Sequence, residues 1–191
     1  MTVRLVATVG HPVLRRWATP VDPQELSDPD TQTLIDDLID TMRYYNGAGL
    51  AAPQVMASRR IAVIEVNSNP RYPYKPNIPL TVLVNPEIEP LSDETFANNE
   101  GCLSVPGFRG VTHRFVRIGV RALDRHGRVV EQEVKGLSAV TFQHEVDHLN
   151  GTLFVDRVDD PTTFSTWEQF ERFERDNFAA SAARLVARFG S

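Results

Sequence analysis

Gln143-His144-Glu145-Val146-Asp147-His148 sets two imidazoles four residues apart, with a carboxylate directly after the first. On an α-helix that spacing puts both rings on one face, one turn apart, where they can fill two sites of one metal ion. Glu145 is not forced into the metal by that geometry and is free to handle a proton. A catalytic metal site keeps three protein ligands and one open position for water. Cys102, the single cysteine, is the best third ligand. It sits in Glu100-Gly101-Cys102-Leu103-Ser104, ahead of Pro106-Gly107, where a loop or strand end can present it. Away from such a cluster, a lone thiol more often means a small buried hydrophobe. Spacing alone leaves a carboxylate open as third ligand.

Water in the open position would lose a proton near pH ~7. Glu145 would accept that proton as the water attacks a carbonyl, then deliver it to a leaving nitrogen. The oxyanion needs donors. The side-chain amide of Gln54 and the backbone N–H of Leu103 are the candidates. Together these groups suit hydrolysis of an amide.

The elements that must hold them follow from periodicity and turn chemistry. Leu137, Val140, Thr141, His144 and His148 follow helical spacing, and Asn150-Gly151 stops that helix. Leu34, Ile35, Leu38, Ile39 and Met42 predict an earlier helix, capped by Asp30 or Thr31 and ending at Asn46-Gly47, with Asp36, Asp37 and Asp40 on a solvated face. Gly47-Ala48-Gly49-Leu50-Ala51-Ala52-Pro53-Gln54 reads as a close-approach backbone edge that delivers one polar side chain; it lacks the third glycine of a dinucleotide fingerprint.

Strands are predicted at 61–66, at 81–85 (stopped by Pro86), and through Phe96 with a turn at Ser92-Asp93. Two more, 115–123 and 129–134, are joined by the hairpin Asp124-Arg125-His126-Gly127. Pro70, Pro73, Pro76 and Pro79 favour an extended loop. Leu153-Phe154-Val155 reads as a short strand. Asp160-Pro161 begins a helical segment of about 161–189, with Phe164, Trp167, Phe170 and Phe173 packing it. His11 has no partner at ligand spacing and reads as a capping or surface residue. His113 has no evident partner, and His126 sits at a turn tip.

At 191 residues the chain is read as a single catalytic domain, 1–191. Apolar content of 41% and charged content of 24% are ordinary for a globular protein. A net charge of −5 without a basic stripe argues against nucleic acid as a partner. No apolar run is long enough to span a membrane, and Met1-Thr2-Val3-Arg4-Leu5-Val6 does not begin a secretion signal. The expectation is a cytoplasmic protein without membrane association. Lys75 and Lys135 are the only lysines, which reads as genome bias.

The Gly47-to-Gln54, Glu100-to-Ser104 and Gln143-to-His148 segments resemble, in order, the three signature motifs of the peptide deformylases. The similarity runs roughly from His11-Pro12-Val13-Leu14 to Asp156. It implies an α+β fold, with antiparallel sheets packed around a central metal-binding helix and a C-terminal helix. It implies a substrate, the N-formyl-methionyl end of a nascent bacterial chain, and release of formate. It implies one divalent metal ion, Fe²⁺ in the cell and replaceable by Zn²⁺, Ni²⁺ or Co²⁺. Cys102, His144 and His148 would then be ligands, Glu145 the general acid/base, and Gln54 with the Leu103 amide the holders of the formyl oxygen. Gly49 and Ala48 would pair with the substrate main chain. Ala48, Asn98, Leu137, Val140, Thr141 and His144 would line the methionine pocket, although Asn98 and Thr141 are polar for a thioether. Glu100 and Arg114 would pair behind the site, and Arg109 would meet the peptide at the rim.

The Pro-rich loop and aromatic C-terminal segment resemble the subgroup that includes eukaryotic organellar forms; the start of the chain favours a bacterial cytosolic member. Transient ribosome association is conceivable through the C-terminal helix, although that helix is not strongly basic. Two rivals stand beside this reading. A general zinc metallopeptidase would use His or Glu as third ligand, so Cys102 discriminates. A structural metal site would be closed by four protein ligands.

Overall fold

The structure, a computed structural model, describes residues 2–68 and 74–191. Helix α1 (Pro29–Tyr44) starts two to three residues before the expected cap, with Asp28 at the N-cap and Pro29, its φ already helical, in the first turn. Its apolar stripe is buried as the periodicity requires, and Asn46 ends it at φ 51°. Asp37 is a correction. It is buried, not solvated, and accepts from the Thr2 backbone N–H and the Arg4 Nε–H, both at 2.9 Å. The N-terminal arm therefore lies along α1.

One antiparallel sheet runs β1 (Gly49–Ala51), β2 (Ile61–Val66), β3 (Ile78–Pro90), β6 (Arg117–Leu123) and β7 (Val129–Lys135), in that spatial order. The apolar run Ile61–Ile64 of β2 has a cause. Ile61 and Val63 pack with α1, whereas Ile64 and Val66 pack with Ala139 and Phe142 of helix α2 (Gly136–Leu149), so both faces of the strand are covered. The second sheet is β4 (Thr95–Cys102), β5 (Val105–Phe115) and β8 (Ser165–Thr166). The α+β architecture and the C-terminal helix agree with the sequence expectation.

Several boundaries differ. Strand β3 passes through Pro86: the missing N–H falls in a register shift between Val84 and Glu87, where Asn85 adopts φ 51°. Pro106-Gly107 does not close a loop but lies inside β5, with Gly107 at φ 79°; the turn is Leu103-Ser104. Residues 153–155 do not form a strand. Asp156 Oδ2 accepts from Leu153 N at 2.7 Å and draws Phe154–Arg157 into a 3₁₀ turn. Asp160 likewise caps only the 3₁₀ turn Pro161–Thr163. Pairing of β8 with Phe108 and Arg109 keeps the chain extended there, and the helical segment divides into α3 (Trp167–Phe173) and α4 (Arg175–Phe189). Phe170 is buried, but Phe173 is 63% exposed and Phe164 37%. Pro70 and Pro73 lie outside the described residues.

Residue Ser191 returns to the start of α2. Its carbonyl accepts from Leu137 N at 3.2 Å, beside Gly136 at φ 56°. A Cβ on Gly136 would lie 1.9 Å from that oxygen, so only glycine fits. Among the described residues, no helix is long and apolar enough to cross a membrane.

Candidate active site

Three elements converge on α2. Gln143 ties the helix to the end of β5: its Oε1 accepts from Phe115 N at 3.1 Å and its Nε2 donates to Phe115 O at 3.0 Å. The rings of His144 and His148 then face the last residue of β4, Cys102, with ring centroids 5.0 Å apart. Cys102 Sγ is 3.2 Å from His148 Nε2, and ligand atoms of Cys102, His144 and His148 all lie within 4.8 Å of one another. Among the described residues this is the metal-competent cluster, and it fits one ion: a soft thiolate and two imidazoles suit a zinc-like or ferrous centre with an open position.

Burial would raise the Cys102 thiol, but the two imidazoles outweigh it and hold the pKa well below the ordinary value. Burial would likewise lower His144, yet the Cys102 sulfur and Glu100 hold it well above the ordinary imidazole. The site is thus an anionic cradle that keeps a proton until a cation replaces it.

Behind the imidazoles lies a buried charge relay. His144 Nδ1 is 2.7 Å from Glu100 Oε2, which leaves Nε2 to face the cluster. Glu100 is gripped by Arg114 through Nε at 2.6 Å and NH2 at 2.9 Å, and Thr112 Oγ1 donates to it as well. Burial opposes ionisation of Glu100, but Arg114 and His144 hold its carboxyl well below the usual range. Arg114 also donates to Asp147 Oδ2 at 2.6 Å, and Arg157 grips Asp147 from the other side. The Glu100–Arg114 contact is present; the Asp147 arm was not foreseen. Its signal was available in the second variable position of the His-Glu-x-x-His segment, a carboxylate that cannot face the metal.

Glu145 is buried over β1, and burial raises its carboxyl above the ordinary value. Its Oε2 has no hydrogen-bond partner among the described residues. Gln54 is buried in the 3₁₀ turn Ala52–Val55 that follows β1. Its Oε1 accepts from Ala51 N at 2.8 Å, which fixes the amide orientation. Nε2 therefore points towards the cluster, 3.6 Å from Cys102 Sγ and 3.1 Å from Ser104 Oγ. The N-terminal arm straps both loops, Ala7 N to Gln54 O and Val9 N to Ser104 O, each at 2.7 Å.

A cavity of ≈ 580 Å³, counted with its open mouth, is lined by Ala48, Gly49, Asn98, Leu103, Val140 and Thr141, together with the polar cluster. Two expectations need correction. Leu137 is buried at the start of α2 and does not line the cavity. Arg109 is not at the rim. It is 1% exposed, donates to Asn99 Oδ1 at 2.5 Å and Asn99 O at 2.9 Å, and lies 4.2 Å over the Phe170 ring and 4.8 Å over Trp167. The α3 aromatics cover it. Sequence reasoning also missed Lys75, whose Nζ donates to Thr141 Oγ1 at 2.9 Å, and Phe178 of α4, whose ring meets Tyr74 edge-on at 5.0 Å. Both line the cavity. His113, without an evident partner in the sequence, lies 3.2 Å from Asp159.

Residues 3–164 match the model of the polypeptide deformylase family. This chain belongs to that family. It is 43% identical over 166 residues to a peptide deformylase of Ralstonia nicotianae, covering 87% of this chain and 93% of the relative. It is 41% identical over 172 residues to one from Nostoc, covering 90% and 95%. Among solved structures, a class I type b peptide deformylase of Acinetobacter baumannii bound to Met-Ala-Ser superposes with a TM-score of 0.79 at 43% identity, over 82% of this chain and 99% of that one. A peptide deformylase of Legionella pneumophila gives 0.73 at 38% identity over 96% and 99%. Removal of the formyl group from N-formyl-methionine is the known function of the family, and dependence on a metal is general to it. The chain is a hydrolase of this kind.

Proposed function

We propose that the chain acts as one catalytic domain, 1–191, in which Cys102, His144 and His148 hold the ion and Glu145 moves the proton. The carrying observation is the fixed Gln54 amide, whose Nε2 is turned to the same point as the Cys102 sulfur and the two imidazoles. A divalent ion there would supply Lewis-acid polarisation and acidify water at its open position.

The substrate enters extended. Strand β1 is an edge of its sheet, so a peptide end can add beside Ala48 and Gly49 by main-chain hydrogen bonds. Gln54 Nε2 and the Leu103 N–H hold the formyl oxygen where negative charge develops. Glu145 takes the proton of the attacking water at a carboxylate oxygen and gives it to the departing amide nitrogen. Its burial keeps the proton affinity high enough for that second transfer. The side chain of the first residue occupies the cavity between Ala48, Asn98, Val140 and Thr141. Glu100 and Arg114 orient His144 from behind.

The ion in the cell is Fe²⁺, with Zn²⁺, Ni²⁺ or Co²⁺ able to replace it. The Met-Ala-Ser complex of the Acinetobacter relative supports a peptide end as substrate. Work on nascent chains implies a cytoplasmic enzyme that meets the ribosome transiently. The test is formate release from formyl-Met-Ala-Ser by anaerobically purified protein, with metal analysis of the same sample. Release with about one ion per chain is expected; full metal loading without release overturns the reading. Co-sedimentation with ribosomes tests the partner separately.

A further inference from the structure

The wall of the active-site cavity carries an ammonium group. Lys75 lines it and donates to Thr141 Oγ1 at 2.9 Å, and Asn98, buried on β4, lines the same cavity. Among the described charged groups near Lys75, Glu100 and Glu145 favour its charge and Arg109 opposes it. A partly buried ammonium beside a pocket meant for an unbranched thioether gives up some of its hydration at a cost. A thioether sulfur is also a weak acceptor that does little to offset that cost. A side chain ending in oxygen offers the negative end of a dipole to the same cation and to the amide of Asn98.

The geometry points to Lys75 as a specificity-determining residue that makes the first-residue pocket select a side chain bearing an oxygen acceptor. The form of a formyl-methionyl end that has such an atom is methionine sulfoxide, in which oxidation has turned the apolar sulfur into a polar centre. This inference rests on the proposed reading of the cavity as the first-residue pocket. Val140 and Ala48 still supply an apolar stem path, so unoxidised methionine is accepted as well, without the extra contact. The two polar wall residues, Asn98 and Thr141, then serve the same selection as Lys75.

The experiment compares kcat/KM for formate release from three peptides on the metal-loaded enzyme: formyl-Met-Ala-Ser, its sulfoxide, and formyl-norleucine-Ala-Ser, which keeps the shape but has no acceptor. The sulfoxide-to-norleucine ratio is expected to fall about tenfold or more in Lys75→Met and to be held in Lys75→Arg, as loss of a charged hydrogen bond implies. A second reading uses the wild type alone. Burial brings Lys75 down to about 8, so the ratio should fall about fivefold between about pH 7 and about pH 9.5 as the ammonium loses its proton. Titrations of Glu100, Glu145 and the metal site affect both peptides and cancel in the ratio. A ratio that is unchanged by both Lys75→Met and pH, with formyl-Met-Ala-Ser still hydrolysed, overturns the inference alone. No formate from any of the three peptides overturns the reading of the site and the inference with it.

Discussion

Gly49 and Glu145 occupy mutually exclusive space: a Cβ on Gly49 would lie 2.4 Å from Glu145 Oε1 and 2.6 Å from its Cδ. Strand β1 thus has no side chain at this point because helix α2 puts its carboxylate there. The edge proposed to receive substrate and the group proposed to move the proton are set by one close approach. Gly49→Ala should leave the fold intact, because the obstruction is the end of a flexible side chain, but it must push the carboxylate aside. A displacement of about 1 Å at a reacting group costs about 10²-fold. Circular dichroism and kcat/KM on the same preparation check this, and an unimpaired rate would show that Glu145 needs no such clearance.

The Glu100–Arg114–Asp147 chain is buried, so removing its centre takes the shared guanidinium from two carboxylates and leaves Asp147 to Arg157 and Glu100 to Thr112 and His144. Arg114→Met is expected to cost about 3–5 kcal/mol of stability, read as a lowered urea midpoint. Its pH signature has a definite sign. Glu100 is depressed in the folded protein, so its contribution is fully present above the ordinary carboxylate value of ~4.3 and is lost as pH falls towards its folded value. Wild-type Tm should therefore fall more steeply from about pH 5 to about pH 3 than that of Glu100→Gln. Parallel slopes would count against an ionised Glu100.

Lys75 titrates in the opposite sense. Its folded value, about 8, lies below the ordinary 10.5 because of burial. Below about 8 both states hold the proton and the burial cost is fully present; between there and 10.5 the unfolded chain binds more protons, so stability rises with pH. Lys75→Met should raise stability near neutral pH by about 1–2 kcal/mol, with the gain shrinking above pH 8. A destabilised variant would mean that the ammonium supports the fold rather than costing it.

Metal removal should act on stability as well as on activity. The Cys102 sulfur, His144 and His148 form one anionic cradle around a shared point, and an ion bound only by the folded state stabilises it through mass action, by about 2.7 kcal/mol at a hundredfold excess over Kd. Chelation should lower Tm and abolish formate release. Cys102→Ser should mimic it, with less metal retained. Full metal content in that variant would remove the thiolate from the ligand set.

Much of this centre is legible in the sequence because its parts obey local rules. Four-residue spacing presents His144 and His148 together, and Gly-Cys before a turn presents Cys102. What the sequence hides depends on long-range packing. Arg109 has the composition of a rim residue, yet Trp167 and Phe170 fold over it from about sixty residues away. Asp37 has the spacing of a solvated face and is covered by an arm whose position no periodicity encodes. Pro86 and Pro106 carry breaker signals that apply to regular ladders, and both sit where the ladder is irregular. Strand pairing at Ser165 and Thr166 delays the C-terminal helical segment to Trp167, and Glu174, at φ −121°, divides it into α3 and α4. Lys75 has no motif at all; only its place in the cavity wall gives it meaning.

The most direct test of the catalytic assignment is formate release by Glu145→Ala, with metal content measured on the same sample. The expected result is about one ion per chain, a wild-type fold, and a rate lower by about 10²–10⁴-fold, the usual contribution of a positioned acid/base. Formate release at the wild-type rate, with the ion still bound, would contradict the role given to Glu145.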